Sequence, residues 1–165
     1  HAAVAPPGLV TPDRDLDGWH AETCAEFAVA QSLFTIGDRR AIETFLAEPV
    51  PSRPARLFFC HNDLGDEHVI IDPETRAVAG VIDWSDAVLD DPARDFALLL
   101  FDFGLMFFER SLAAYGGGVD TSFGARARWF AARAGVAGVA RRALDRDPGL
   151  DATMRRLCGV LDYRG

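Results

Sequence analysis

The stretch from Phe58 to Trp84 constrains the fold most. Phe58-Phe59-Cys60 runs straight into a polar loop, His61-Asn62-Asp63-Leu64-Gly65-Asp66-Glu67-His68. Val69-Ile70-Ile71-Asp72 follows, then the turn Pro73-Glu74-Thr75-Arg76, then Ala77 to Ile82, which stops on Asp83 and Trp84. Short apolar runs bounded by turn formers predict strands: one over 56–60, and a hairpin pairing 69–72 with 77–82. Backbone leaving a strand holds the next side chain at a fixed point, so Asp63, His68 and Asp83 are presented from adjacent loops. Two carboxylates and an imidazole so placed can bind a divalent cation and leave one carboxylate to accept a proton. Taken singly, a loop aspartate is ordinarily a turn or capping residue and a lone histidine a satisfied polar group. The joint spacing therefore carries the reading.

Helices are predicted on both sides. Leu16, Trp19, Thr23, Phe27, Ala30 and Phe34 recur at steps of three and four, which gives a helix over 13–34 entered at Thr11-Pro12-Asp13, with Glu22 and Glu26 on its polar face. Gly37-Asp38 breaks it, and a second helix over 38–47 buries Ile42, Phe45 and Leu46. Ser85 to Pro92 reads as a polar loop. Asp91 then caps and Pro92 opens a helix over 92–115, apolar nearly all round and so expected to be central and buried. Gly116-Gly117-Gly118 ends it. One or two helices over 121–145 follow, with Arg126, Arg128, Arg133, Arg141 and Arg142 expected to be exposed. Pro148-Gly149 sets off a last short helix over 151–161. The fold class is α+β, mostly α-helical, with a small β-hairpin insert carrying the polar loops.

Composition narrows the function. A chain of 165 residues suits one domain with a real core. The formal net charge of −8 disfavours nucleic acid as a partner and is compatible with a cationic small molecule. Cys24, Cys60 and Cys158 form no CxxC pair, which gives no zinc knuckle or disulfide framework and makes a reducing, cytoplasmic setting the simplest inference. The longest apolar run, 96–108, is interrupted by Asp102 and is too short to span a bilayer, so no membrane is expected. No secretory signal is visible, and the first residue is His1.

His61-x-Asp63, His68 five residues after Asp63, and Ile82-Asp83-Trp84 followed by Asp91-Pro92-x-x-Asp95-Phe96-Ala97 resemble the aminoglycoside phosphotransferase family. These are small-molecule kinases with the protein-kinase-like fold. The likeness is strong over 58–99. It implies that Asp63 is the catalytic aspartate, which orients the substrate hydroxyl and accepts its proton, and that Asp83 holds Mg2+ against the phosphates of ATP or GTP. It also implies that His61 and Asp95 support the catalytic loop structurally. His68 departs from the pattern, which has Asn there as the second metal-contacting residue. Either His68 holds the metal, with Mn2+ then unusually well tolerated, or it only hydrogen-bonds Asp63 or Asp83. Asp102-Phe103-Gly104 spells a kinase metal triplet but lies 39 residues after Asp63 in an apolar helical run, so Asp102 reads as a buried or helix-face residue.

If the family geometry holds, Asp66, Glu67 and Asp86 would flank the acceptor side and could bind the ammonium groups of an aminoglycoside antibiotic. For any one of them a solvated acidic loop is the plainer reading. The lysine and glycine-rich loop that cover the phosphates in kinases should precede Phe58, and the chain has no lysine at all, its 17 basic residues all being Arg. Residues 1–165 therefore read as the C-terminal, catalytic and substrate lobe, without the N-terminal nucleotide-binding lobe and with little activity alone. The intact parent would phosphorylate a small hydroxylated substrate, and a cationic one is compatible with the acidic net charge. A non-catalytic binding module and a metal-dependent hydrolase built on His61, Asp63, His68 and Asp83 are the other readings.

Overall fold

Asp15 starts the first helix: its Oδ1 accepts a hydrogen bond from Gly18 N at 2.9 Å. The structure, a computed structural model, describes residues 15–116 and 119–163. The entry predicted at Thr11-Pro12-Asp13 lies outside these residues. Helix α1 (Leu16–Ala30) is shorter than the sequence suggested and tightens into a 3-10 turn, Gln31–Leu33. Thr23, Phe27 and Ala30 form its buried stripe. Helix α2 (Ile36–Leu46) begins earlier than expected because Thr35 caps it, accepting from Asp38 N and donating to Asp38 Oδ2.

Four short strands follow in two antiparallel pairs. β1 (Phe58–Cys60) pairs with β4 (Val88–Asp90), in the register Phe58 with Asp90 and Cys60 with Val88. β2 (Val69–Ile71) pairs with β3 (Val78–Val81) as the predicted hairpin, with an irregularity between Ile70 and Ile71. Strand β4 corrects the expectation of a polar loop over 85–92. Its apolar part is only Val88-Leu89, too brief to register as a pattern, and its partner lies thirty residues back in the chain.

The helix expected over 92–115 is two helices, α3 (Ala93–Phe103) and α4 (Leu105–Tyr115). Gly104, at φ +82°, turns the chain in a conformation that side-chain-bearing residues rarely adopt. Only the first half is central. Ala93, Phe96, Ala97, Leu99 and Leu100 of α3 are buried, whereas Phe108 is the buried residue of α4 and Met106 is 68% exposed. Helix α5 (Phe123–Asp145) is single and runs through the core, packed on α1, α3 and α6 (Leu150–Asp162). Small residues let these helices approach. A Cβ on Gly135 would come within 2.8 Å of the Phe101 ring and 3.0 Å of Leu157.

Arg126 and Arg128, expected at the surface, are buried at 2% and 7% exposure. Each has a carboxylate to balance it, which is the condition for burying a charge. Arg126 Nε meets Asp91 Oδ2 at 2.6 Å and its Nη1 meets Asp120 at 2.8 Å, while Arg128 Nη1 meets Glu48 at 2.7 Å. Asp91 also accepts from Ala93 N at 3.0 Å, at the entry to α3. Arg126 thus ties the start of α3 to the start of α5.

Candidate active site

The loop after β1 is fastened to α3 by one carboxylate. Asp95, in the first turn of α3, accepts from His61 N with Oδ2 at 2.9 Å and from Asn62 N with Oδ1 at 2.6 Å. Burial lifts the Asp95 carboxyl above its ordinary range, and the two N–H donors only partly offset this. Asn62 sits at φ +71°, a left-handed conformation that Asn tolerates better than most residues. The reversal there brings out Asp63, whose side chain is 51% exposed.

The second loop is bound to the first by His61, which is itself buried. Its Nε2–H donates to the Ile82 carbonyl at 2.8 Å, next to Asp83. The Trp84 ring lies edge-on to the His61 ring, with centroids 4.7 Å apart, and stacks on Phe59. A further bond, Ile82 N to His68 O at 3.0 Å, closes the same join. Asp83 is left-handed at φ +61° and 56% exposed at its side chain. Ser85 Oγ donates to its Oδ1 at 2.8 Å and holds this carboxyl below the usual carboxylate range.

His68 stands between the two carboxylates. Its Nδ1–H donates to the Asp63 carbonyl at 2.6 Å, which leaves Nε2 facing Asp83 Oδ2 at 3.8 Å, and Nδ1 is also 3.8 Å from Asp63 Oδ2. The bond to the Asp63 carbonyl is the largest cause raising its pKa, with the acids around it adding to the effect. The structure thus brings Asp63, His68 and Asp83 together and places His61 and Asp95 behind them as braces. Burial pushes the thiol of the neighbouring Cys60 up to about 12, which disfavours its thiolate form.

Asp66 and Glu67 fall elsewhere. They gather with Asp102, near the C-terminal end of α3, where Asp102 Oδ2 accepts from Asp66 N at 3.2 Å. Arg156 of α6 closes this group, meeting Asp102 Oδ1 at 2.6 Å and Asp66 Oδ2 at 3.1 Å. Asp86 is exposed in the 3-10 turn Trp84–Asp86.

Beside Asp63 opens a cavity of about 190 Å³, walled by Asn62, Trp19, Arg94, Phe130 and Arg133. It adjoins a second cavity of about 270 Å³ that shares Trp19, Arg94 and Phe130 and reaches Arg53, Asp90 and Asp91. Asp66, Glu67 and Asp86 line neither. The sequence placed Trp19 on the apolar repeat of the first helix and did not single out Phe130 or Arg94. That Arg94 falls between Asp91 and Asp95 was the one available signal, since helical spacing puts it near the same loop. Nothing in the sequence marked Arg133 as facing a cavity.

A mostly helical fold carrying a small strand-loop-hairpin unit braced on a buried helix is the architecture of the C-terminal lobe of kinase-like phosphotransferases. The chain matches the phosphotransferase enzyme family over residues 2–147 and belongs to it. Among solved structures it is similar to the GDP complex of wild-type aminoglycoside 2'-phosphotransferase-IIIa, at 23% identity and TM-score 0.68, covering 92% of this chain and 53% of that one. It is also similar to the GDP and kanamycin complex of APH(2")-IIia, at 23% identity and TM-score 0.65, covering 91% and 53%. Macrolide 2'-phosphotransferase type I is 28% identical at TM-score 0.52, over 87% and 49%. The chain thus spans about half the length of these structures. Among curated proteins none matches it. No helix among the described residues is long and apolar enough to cross a membrane.

Proposed function

We propose that this chain is the acceptor- and metal-binding lobe of a small-molecule kinase, which moves the γ-phosphoryl group of ATP or GTP to a hydroxyl. One observation carries the reading: Asp63 and Asp83 project half-exposed from two loops that Asp95 and His61 hold in a fixed relation. Phosphoryl transfer depends mostly on positioning and charge stabilisation, and such bracing supplies the positioning. The GDP named in the related structures supports a nucleotide donor.

In this reading Asp63 orients the acceptor hydroxyl and takes its proton. The acceptor oxygen bonds to the γ-phosphorus, the bond from that phosphorus to the bridging oxygen breaks, and the electron pair leaves on the nucleoside diphosphate. The donor set fits a divalent cation: Asp83 offers a carboxylate, and neutral His68, with its one proton held on Nδ1 by the Asp63 carbonyl, directs the Nε2 lone pair toward it, so that metal binding would displace the imidazolium proton. Asp83 and His68 would hold Mg2+, and the nitrogen ligand favours Mn2+ as an alternative. When bound, the cation neutralises charge on the nucleotide phosphates. The phosphate-covering lysine would come from a nucleotide-binding lobe N-terminal to this one, so the 165 residues alone should turn over little.

The test is phosphate transfer by a longer protein carrying that lobe, with ATP or GTP and Mg2+ or Mn2+. Transfer that disappears in Asp83→Ala supports the reading. Metal-dependent nucleotide binding with no transfer to any hydroxyl would replace it with a binding module.

A further inference from the structure

Two cavities meet beside the catalytic loop, and one indole stands between them. Asn62 and Asp63 line only the smaller, of about 190 Å³, and Leu16, Pro54 and Leu57 line only the larger, of about 270 Å³. Trp19, Arg94 and Phe130 line both. A side chain that lines two adjoining cavities belongs to the wall that divides them, and of these three the indole presents the largest rigid surface.

That ring is clamped from two neighbouring helices. Arg133 of α5 lies 4.3 Å and Arg94 of α3 lies 4.8 Å from its centroid, and the Phe130 ring meets it edge-on at 6.4 Å. Both guanidiniums are balanced by acids. Arg94 is 3.6 Å from the buried Asp90, and Arg133 is 3.2 Å from Glu22 and also acts on Glu26. Their charge is neutralised within the wall, so what they supply is orientation: planar cations against an aromatic ring hold it in place. The indole cannot swing aside for a bulkier guest without breaking these contacts. The cavity it leaves beside Asp63 is smaller than the roughly 300–1,000 Å³ usual for a drug-sized ligand, whereas the two cavities together reach that range.

We infer that Trp19 sets the size of the acceptor: it confines the alcohol beside Asp63 to a single ring, and the larger cavity is the room that a two-ring acceptor would need. This rests on the phosphotransferase reading above, which puts the reacting hydroxyl at Asp63.

Two neutral probes with the same hydroxymethyl group test it, benzyl alcohol and para-phenylbenzyl alcohol. Calorimetry on the full 165-residue chain should find the one-ring probe bound about tenfold more tightly, although the other has more apolar surface to bury. Trp19→Leu and Trp19→Ala should reverse this order, and Trp19→Phe should keep it. Loss of packing alone would weaken both probes alike and leave their ratio. In the unmutated chain, nuclear Overhauser contacts of bound benzyl alcohol should reach Ala97 and Ala134, which line only the smaller cavity, and miss Leu16 and Leu57; this readout is independent of any variant's folding. An unchanged order in Trp19→Leu and Trp19→Ala, contacts to Leu16 or Leu57, or no binding by either probe overturns the inference.

Transfer assays on the longer protein separate the two readings. Phosphorylation of para-phenylbenzyl alcohol or kanamycin in preference to benzyl alcohol would overturn the size limit and leave the kinase standing. Trp19-dependent binding with no hydroxyl ever phosphorylated would keep the partition and remove the kinase.

Discussion

Two groups of acids flank the loop from His61 to His68, and they differ in what balances their charge. Asp63 and Asp83 face an imidazole at 3.8 Å on either side, and among the described residues no guanidinium forms an ion pair with either carboxylate. Asp66 and Asp102 share the guanidinium of Arg156, which satisfies both. Proximity of acids therefore does not make a metal centre; a protein cation already in place converts the same residue types into a structural clasp. The pKa directions separate the groups again: Ser85 holds Asp83 below the ordinary carboxylate range, while burial lifts Asp102 above it.

The largest effect should come from the open group. Asp63→Asn in the longer protein should lower turnover by about 10² to 10⁴ if the carboxylate takes the proton, whereas Asp102→Asn should leave it near wild type. Equal losses from the two changes would erase the distinction. Next comes the brace: Asp95→Ala leaves two N–H groups of the loop without their acceptor, and urea unfolding should show a loss of about 2–4 kcal/mol.

Removing the clasp's cation should cost less. Arg156→Ala breaks partly exposed ion pairs, so stability should change by no more than about 1 kcal/mol. Yet it should uncover a second divalent-cation site at Asp66, Glu67 and Asp102, whose carboxylates lie within 4.8 Å of one another. Calorimetry that finds no new site in this variant would show that the arginine is not what closes the group.

The smallest effect is in pH dependence, and the two groups should have opposite signs. A depressed folded pKa gives stability that is present above the unfolded value and lost as pH falls through the folded one, so the benefit of Asp83 should fade below 3.8. A raised folded pKa gives stability that is present below the unfolded value and lost as pH rises through the folded one, so Asp102 should become a burden above 3.8. Stability curves of Asp83→Asn and Asp102→Asn, each subtracted from wild type, should slope in opposite directions across the carboxylate range. Parallel slopes would refute the contrast.

Much of this was legible beforehand, for identifiable reasons. Asp63, His68 and Asp83 could be grouped because strands and a hairpin fix their side chains within one short stretch, where local spacing decides geometry. The same logic gave α2 and the hairpin, and left open whether 121–145 holds one helix or two. Features set by distant partners were not legible. Arg126 and Arg128 look like surface residues until Asp91, Asp120 and Glu48 are brought to them. Strand β4 exists only because β1 is beside it. Gly104 broke an apolar run whose composition gave no hint of where its burial would end. Arg94 and Arg133 reach one cavity from two helices, and no sequence period links them.

Helix α3 also acts as a ruler for the loop. Asp95 receives the amides of His61 and Asn62, and Asp102, seven residues and about two turns or 10 Å further on, receives that of Asp66. Three amide protons of an irregular segment are thereby locked to one rigid rod. Their exchange with deuterated solvent should not follow loop fluctuations but the rarer opening of α3 itself, so that the loop presenting Asp63 keeps the lifetime of the core on which it is mounted.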